Sequence, residues 1–431
     1  MSKVFVSFLG TNDYLTCNYC FGSQKVTRVR FVQDALVQLF CEDFGKDDRI
    51  LIFLTREARR KNWNDNDNRK GLASRLNALS NQTLIQDIDI PNGSSEEEIW
   101  QIFSLVYQHL GRGDEVIMDI THGFRSLPML GTVLLNYARV LKEIEIRGIY
   151  YGAFETLGPA YKVREMDESR RNAPIFDLSS FETLMQWSSG AEIFVKFGNP
   201  DKISKLLTNI ATPRLRQSQG KDEVACQLRG MAHELNELAG QIATNRGALL
   251  TAGTAAGRIS EYVKQIRSAP ETVPAFHPLL EMIKNKVSGF QENSLENCLA
   301  AVDWCIEHDL VQQGLTLLQE AVISIILDQH DLDWRDRDLR EIVSDCFHVV
   351  NMNKTEEEWS QRLSENRNLG RRLITSPLLI RLASDYDALS KYRNDINHAG
   401  FAGKCRSDVF RKQLKQKYEA IQKLREGASA V

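Results

Sequence analysis

Over the first 160 residues, short apolar runs alternate with amphipathic stretches, and that alternation leaves few folds open. VFVSFL (4–9), RILIFLT (49–55), TLIQDIDI (83–90), EVIMDI (115–120) and IEIRGIYYGAF (144–154) read as strands. Several are apolar on both faces, as strands covered from both sides must be. Between them, TRVRFVQDALVQLF carries Val32, Ala35, Leu36, Leu39 and Phe40 on the i, i+3, i+4, i+7, i+8 stripe of a helix. SSEEEIWQIFSLVYQHL opens on a Ser cap and an acidic first turn, which suit the positive end of a helix. Strand and helix repeated in this way predict a mostly parallel sheet with helices on both faces, a Rossmann-like α/β domain.

Beyond about residue 178 the strand signals nearly vanish, and FETLMQWSSGAEIFVKF, 222–266, LENCLAAVDWCIEHDLVQQGLTLLQEAVISIIL and SPLLIRLASDYDALSKYRNDINHAG all read as helices. Pro270, Pro274 and Pro278 punctuate a boundary or hinge between an upper and a lower helical part. The predicted division is an α/β domain over 1–180, a helical linker over 181–290 and a helical domain over 291–431. A length of 431 residues suits two or three folding units. With 42% hydrophobic and 26% charged residues the chain should fold as an ordinary globular protein. No run approaches the roughly 20 apolar residues of a bilayer span, and MSKVFVSFLGTND reaches polar turn residues too early for a signal peptide, so the expected compartment is the cytoplasm. Eight cysteines are too sparse for a disulfide framework. The single close pair, Cys17 and Cys20 in CNYC, has no second pair to complete a zinc site and reads as a flexible loop with two thiols; no metal is expected.

A parallel sheet binds ligands beyond the carboxyl ends of its strands, where free N–H groups at helix starts attract phosphate. Two loops there carry suitable residues. LGTNDY, after the first strand, offers Gly10 for close backbone approach and Thr11 and Asn12 as hydrogen-bond donors. DITHGFRSLP, after the fourth of the strands just named, places Thr121, His122 and Gly123 at the mouth of a helix and Arg125 in its first turn. Together they suit a phosphate and a nucleobase. The plainer alternative is that the glycines only permit tight turns, Thr121 caps a helix and His122 packs locally. Asp119 would repel phosphate, so its expected role is to brace the loop. Neither loop is a G-x-G-x-x-G fingerprint or a Walker loop, which disfavours a nicotinamide or ATP enzyme.

The string DITHGFRSLP resembles the Asp-x-Thr-His-Gly signature of CRISPR-associated accessory proteins of type III systems, and GTNDY, TRVRFVQDAL, FLTREA, YYGAF and APIFDL extend the likeness along nearly the whole chain. The resemblance implies that the α/β part is a CARF domain, a sensor of cyclic oligoadenylate, binding its ring across a homodimer axis. It implies ligand contacts at Thr11, Thr121, His122, Gly123 and Arg125. A tetra-adenylate is the ring such a resemblance most often implies, as an allosteric activator rather than a cofactor.

Near the other end, KYRNDINHAG (391–400) concentrates Arg393, Asn394, Asp395, Asn397 and His398 where helix propensity alone disfavours them. The net charge of the chain is −3, yet from Gln361 to Glu426 there are 15 Lys and Arg against 7 Asp and Glu. Asn394 and His398, at i and i+4, share a helix face with Arg393 beside them. An imidazole can exchange protons near neutral pH and a guanidinium can clamp a phosphate, while RNA supplies its own 2′-hydroxyl nucleophile. The Arg-Asn-x-x-x-His string resembles the Arg-x(4 to 6)-His motif of HEPN ribonucleases, which implies a metal-independent cut in single-stranded RNA with Arg393, Asn394 and His398 as the catalytic set. One set per chain is thin for acid and base on opposite sides of a phosphate, so catalysis is expected from a homodimer or a higher oligomer. His308 and His348 read as satisfied core or boundary histidines, Trp187, Trp304 and Trp334 as packing anchors, and Arg371 and Arg372 as either an RNA path or a solvated basic turn.

Two other functions remain open at this point. The chain can be a non-catalytic sensor signalling to a partner, or a sensor that also degrades its own cyclic ligand.

Overall fold

The computed structural model describes residues 2–66, 69–79, 82–122, 127–269, 274–401 and 405–429. The chain divides into two compact units, Met1–Thr183 and Leu184–Val431.

The first unit is built on one sheet of eight strands: β1 Lys3–Leu9, β2 Cys17–Phe21, β3 Gln24–Val29, β4 Arg49–Leu54, β5 Leu84–Asp89, β6 Glu115–Asp119, β7 Glu145–Gly152 and β8 Asn172–Asp177. Their order is β3-β2-β8-β7-β6-β1-β4-β5. The run β7-β6-β1-β4-β5 is parallel throughout, with Val4–Leu9 of β1 in register against Arg49–Leu54 of β4. β8 joins β7 antiparallel, β2 joins β8 parallel, and β3 closes the edge antiparallel to β2. The five strands expected from the sequence are β1, β4, β5, β6 and β7.

Side chains of β1 and β4 alternate between two apolar layers, as a strand's period of two requires. Phe5, Ile50 and Ile52 pack with Val32, Ala35 and Leu36 of helix Val32–Phe40 and with Leu72 and Leu76 of helix Leu72–Leu79. Val4, Val6, Leu51 and Phe53 pack on the opposite face with Ile102 and Val106 of helix Glu96–His109 and with Leu134, Leu135 and Ala138 of helix Leu127–Lys142. Ser95 caps the third of these helices by accepting the Glu98 N–H, with Glu96, Glu97 and Glu98 in its first turn.

Two expectations are corrected here. CNYC is not a loop: Cys17 is buried and the four residues form most of β2. The helix expected from TRVRFVQDALVQLF begins only at Val32, because 27–29 belong to β3. Tertiary contacts explain both. Asn18, a poor strand former, is buried with its Nδ2 donating to the Glu168 carbonyl (3.0 Å) and to Asn172 Oδ1 (3.1 Å), so its polar groups are satisfied inside the sheet.

From β1 the chain first builds the β2–β3 edge, then returns to β4 and β5 on one side of β1 before crossing to β6 on the other. At this reversal the loops after β1 and β6 line a crevice beyond the carboxyl ends of the strands.

The second unit is helical. Helix Val311–Gln329 lies at its centre, buried over most of its circumference by Leu315, Leu318, Ala321, Val322, Ile325 and Ile326 among others. Helices Arg337–Met352 and Pro377–Asn397 pack on it through Ile342, Val343 and Phe347 and through Leu379, Leu382 and Leu389. Pro377 and Pro278 each stand in the first turn of a helix, where the missing N–H costs no hydrogen bond; Pro270 lies outside the described residues. Among the described residues no helix is long and apolar enough to cross a membrane.

Candidate functional site

The crevice between the loops after β1 and β6 is held by a chain of buried polar groups. Gln33 Nε2 donates to the Phe8 carbonyl (2.9 Å) and to Ser7 Oγ (3.1 Å), and Ser7 Oγ donates to Asp119 Oδ2 (2.7 Å). Asp119 Oδ1 accepts the Thr121 N–H (2.9 Å), and Thr121 Oγ1 accepts the Gly152 N–H (2.8 Å). Asp119 is fully buried and spends its oxygens on the protein, which is the bracing role expected of it. Burial raises its pKa, opposed by the hydrogen bonds from Thr121 and Ser7. The Thr121 side chain also donates to the Asp119 carboxylate, so its hydroxyl belongs to the same brace.

His122 lies against the Tyr14 ring, centroids 4.5 Å apart, and burial pushes its pKa down to about 4. The imidazole is therefore neutral at physiological pH, suited to a nucleobase edge rather than to a phosphate charge. Its Nε2 has no hydrogen-bond partner among the described residues.

Gly10 sits under Tyr14: a Cβ there would come within 2.5 Å of the Tyr14 hydroxyl. Asn62, 1% exposed on the single π-helical turn Arg59–Trp63, donates to the carbonyls of Gly10 (2.9 Å) and Asn12 (3.0 Å) and accepts from Arg30 Nη2 (2.9 Å). Nothing in the sequence reading singled out Asn62, Arg30 or Gln33. An Asn two residues beyond REARR, and a Gln on the apolar side of a helix, were the only signals available.

Two cavities meet at this point. One of about 600 Å³ is lined by Tyr14, Arg30, Phe154 and Arg164; the other, of about 370 Å³, is lined by Gly10, Thr11, Thr55 and Asn92. Asn12, Thr121 and His122 line both. The structure thus brings Gly10, Thr11, Asn12, Thr121 and His122 together. Gly123 and Arg125 lie outside the described residues.

In the helical unit, Arg393 and Asn394 occupy the last turn of helix Pro377–Asn397, and His398 is its C-cap, its N–H donating to the Asn394 carbonyl (2.9 Å). Ala399 and Gly400, both at positive φ, stop the helix there. Arg393 and Asn394 line a cleft of about 650 Å³ whose opposite wall is helix Arg337–Met352; exposed His398 stands outside that lining. Among the described residues Arg393 makes one long contact, Nη2 to Asn394 Oδ1 (3.4 Å), and its Nε has no partner.

His348 is a correction: it is exposed on the cleft wall, not packed in the core. The apolar letters around it, CFHVV, belong to the buried face of an amphipathic helix whose outer face it occupies. His308 is half satisfied, its Nδ1 2.9 Å from the Lys196 carbonyl and its buried Nε2 without a partner among the described residues. Trp187 and Trp304 are buried, while Trp334 is partly exposed under Arg335, 3.9 Å above its ring. Arg371 is committed to an ion pair with Glu356 (2.7 Å).

Comparison with known proteins bears on the first unit most directly. Residues 4–155 match the family model described as "CRISPR system endoribonuclease Csx1, CARF domain". This part of the first unit is similar to a CARF domain. Residues 183–293 match the second domain of "CRISPR-associated protein MJ1674". That protein, from Methanocaldococcus jannaschii, is 26% identical over 273 residues, 62% of this chain; the chain spans only 37% of its relative's length. A solved structure, Enterococcus italicus Csm6 bound to cyclic hexa-2′-fluoro-hexa-dAMP, aligns over 98% of this chain and 93% of its own with 11% identity and a TM-score of 0.46. The lining residues from Gly10 to Phe154 fall within the matched segment, and Arg164 lies beyond it.

Proposed function

We propose that this chain is a cyclic oligoadenylate-activated endoribonuclease of type III CRISPR defence, which cuts single-stranded RNA without a metal. The observation that carries the reading is the pairing of a CARF crevice at the sheet's reversal point with a free guanidinium, an amide and an exposed imidazole at the end of one helix. The domains in this reading are the CARF sensor over 1–180, a helical linker over 181–290 and an HEPN-like domain over 291–431.

In the crevice, Thr121 and backbone groups of the β1 loop would hold phosphates, and neutral His122 and Asn12 would meet adenine edges. At the other site, the 2′-hydroxyl of RNA attacks the adjacent phosphorus and the 5′-oxygen leaves, giving a cyclic phosphate end. Arg393 stabilises charge on the non-bridging oxygens and His398 moves a proton. Acid and base stand on opposite sides of that phosphate, so two chains must each bring a set. Phe401, 97% exposed three residues past His398, and the apolar face of helix Leu127–Lys142 support self-association. The Csm6 structure holds a six-membered ring analogue, whereas the signature in this chain suggests four adenylates.

The purified protein incubated with labelled RNA, a chelator and synthetic rings of three, four or six adenylates tests this directly. One ring should trigger degradation. Arg393→Ala and His398→Ala should each lower the rate by about 10²-fold or more without loosening ring binding. Full cleavage by His398→Ala would refute the catalytic assignment.

A further inference from the structure

The cleft beside Arg393 holds more chemistry than strand scission uses. Helix Arg337–Met352 buries Ile342, Val343, Cys346, Phe347 and Val349 and turns His348 outward onto the cleft wall with Ser344 and Asp345. Among the described residues the His348 ring has neither a hydrogen-bond nor an ion-pair partner. The acids around it are all engaged. Glu320 is paired with Arg340 (2.7 Å), Glu341 with Arg337 (3.1 Å) and Arg362, Asp345 with Ser360 Oγ (2.6 Å), and Asp387 with Lys391 (2.7 Å). The Ser344 and Tyr386 hydroxyls bond each other at 2.9 Å, leaving one O–H of the pair for a ligand. Charge is thus balanced along the wall, and Arg393 at its end is the cation left over.

That distribution suits one phosphate at Arg393 and an uncharged planar group farther in; a second phosphate along the wall would face Glu341, Asp345 and Asp387. A volume of about 650 Å³ is ample for one nucleotide. An imidazole stacks on a base or bonds its edge, and the Asn394 amide presents a donor and an acceptor. We propose that this cleft is a nucleotide subsite for the RNA residue flanking the scissile phosphate, and that His348 contacts its base and sets the preference at that position. The proposal rests on the ribonuclease reading of Arg393 and His398.

The test is sequencing of cut ends from a randomised RNA pool, with kinetics on one short substrate. His348→Ala should flatten the base preference at a single position next to the cut. It should also raise KM about fivefold, the size of one lost hydrogen bond, with less than about a twofold fall in kcat. His348→Gln, which keeps a hydrogen-bonding side chain, should recover part of the KM. Unchanged preference and KM in His348→Ala overturn the subsite while leaving the ribonuclease intact. A second arm measures binding of a fluorescent RNA, deoxy-substituted at the cut, to His398→Ala with and without His348→Ala. If the wild type never cuts RNA, yet removing His348 weakens this binding, the ribonuclease reading fails and the subsite stands. If the binding does not change either, both fail.

Discussion

Ser7 Oγ donates to Asp119 Oδ2 at 2.7 Å between two side chains that are both fully buried, joining the ends of β1 and β6 where the sheet reverses direction. The other carboxylate oxygen takes the Thr121 N–H, so one buried acid sets the position of the loop that carries Thr121 and His122 relative to the strand that carries the loop of Gly10 and Thr11. Satisfied on both oxygens, Asp119 is a rigid peg; the groups it positions are the ones left with hydrogen-bonding capacity to spare.

His122 gives this arrangement a pH signature. Burial holds its folded pKa near 4 against an ordinary 6.5. Below pH 6.5 the unfolded chain takes up a proton that the folded chain refuses, so the full contribution to stability is present above 6.5 and is lost as pH falls toward 4. Below about 4 both states are protonated and the slope from this residue vanishes. Urea midpoints measured at half-unit steps from pH 7.5 to 4 should fall more steeply for the wild type than for His122→Gln. Parallel curves would mean the imidazole protonates freely in the folded protein.

Gly10 is required by space rather than by backbone angle. A methyl group there meets the Tyr14 hydroxyl at 2.5 Å, while the next atom, His122 Cβ, is 3.7 Å away. Gly10→Ala should therefore displace Tyr14 and the His122 ring tilted against it, costing about 1–3 kcal/mol in stability and weakening ring binding. Removing the hydroxyl makes room, so Gly10→Ala with Tyr14→Phe should recover most of the lost stability. Calorimetric binding and thermal melting of the two variants check this; equal damage in both argues against the steric account.

Asn62 fixes the same loop from behind through three hydrogen bonds. Asn62→Ala strands two carbonyls and the Arg30 guanidinium in a buried place, at a cost of about 2 kcal/mol or more. Because the stranded carbonyls belong to Gly10 and Asn12, the ring's affinity should fall together with the urea midpoint. Asn62→Asp, which can still accept from Arg30 but cannot donate to either carbonyl, should not restore binding.

How much of this was legible in the sequence follows from where each element's information lies. β1, β4 and β6 announce themselves because strands buried on both faces read as nearly continuous apolar runs, and Thr121 and His122 follow from their place just past such a strand. β2 and β3 do not, since Asn18 needs Glu168 and Asn172, about 150 residues away, to make burial tolerable. Asn62 was invisible for the same reason: its partners are backbone carbonyls of a distant loop, which no residue pattern encodes. His348 was misread because CFHVV is apolar along the chain while the helix sorts those letters onto different faces. The end of the Arg393 helix was readable, because a Gly after a polar run is local information; the cleft beside Arg393 was not, since its far wall lies about a dozen helical turns earlier in the chain.

Helix Leu127–Lys142 leaves the CARF crevice with an apolar stripe on its outer side. Met129, Val133, Tyr137 and Val140 recur at helical spacing, with Met129 75% and Val140 69% exposed, and Leu141 beside them. Tyr137 meets Phe103 and Tyr107 of the neighbouring helix. Such a stripe in water favours association, and because it belongs to the helix that follows the crevice loop, a twofold axis along it would set two crevices side by side, as a ring shared between chains needs. Val133→Glu with Val140→Glu places two charges on that contact without touching the core residues Leu134, Leu135 and Ala138. Sedimentation should show the double variant as a monomer of unchanged melting temperature, and its ring-stimulated RNA cleavage should fall to the unstimulated level. A variant that stays dimeric and active would move the subunit contact to another face.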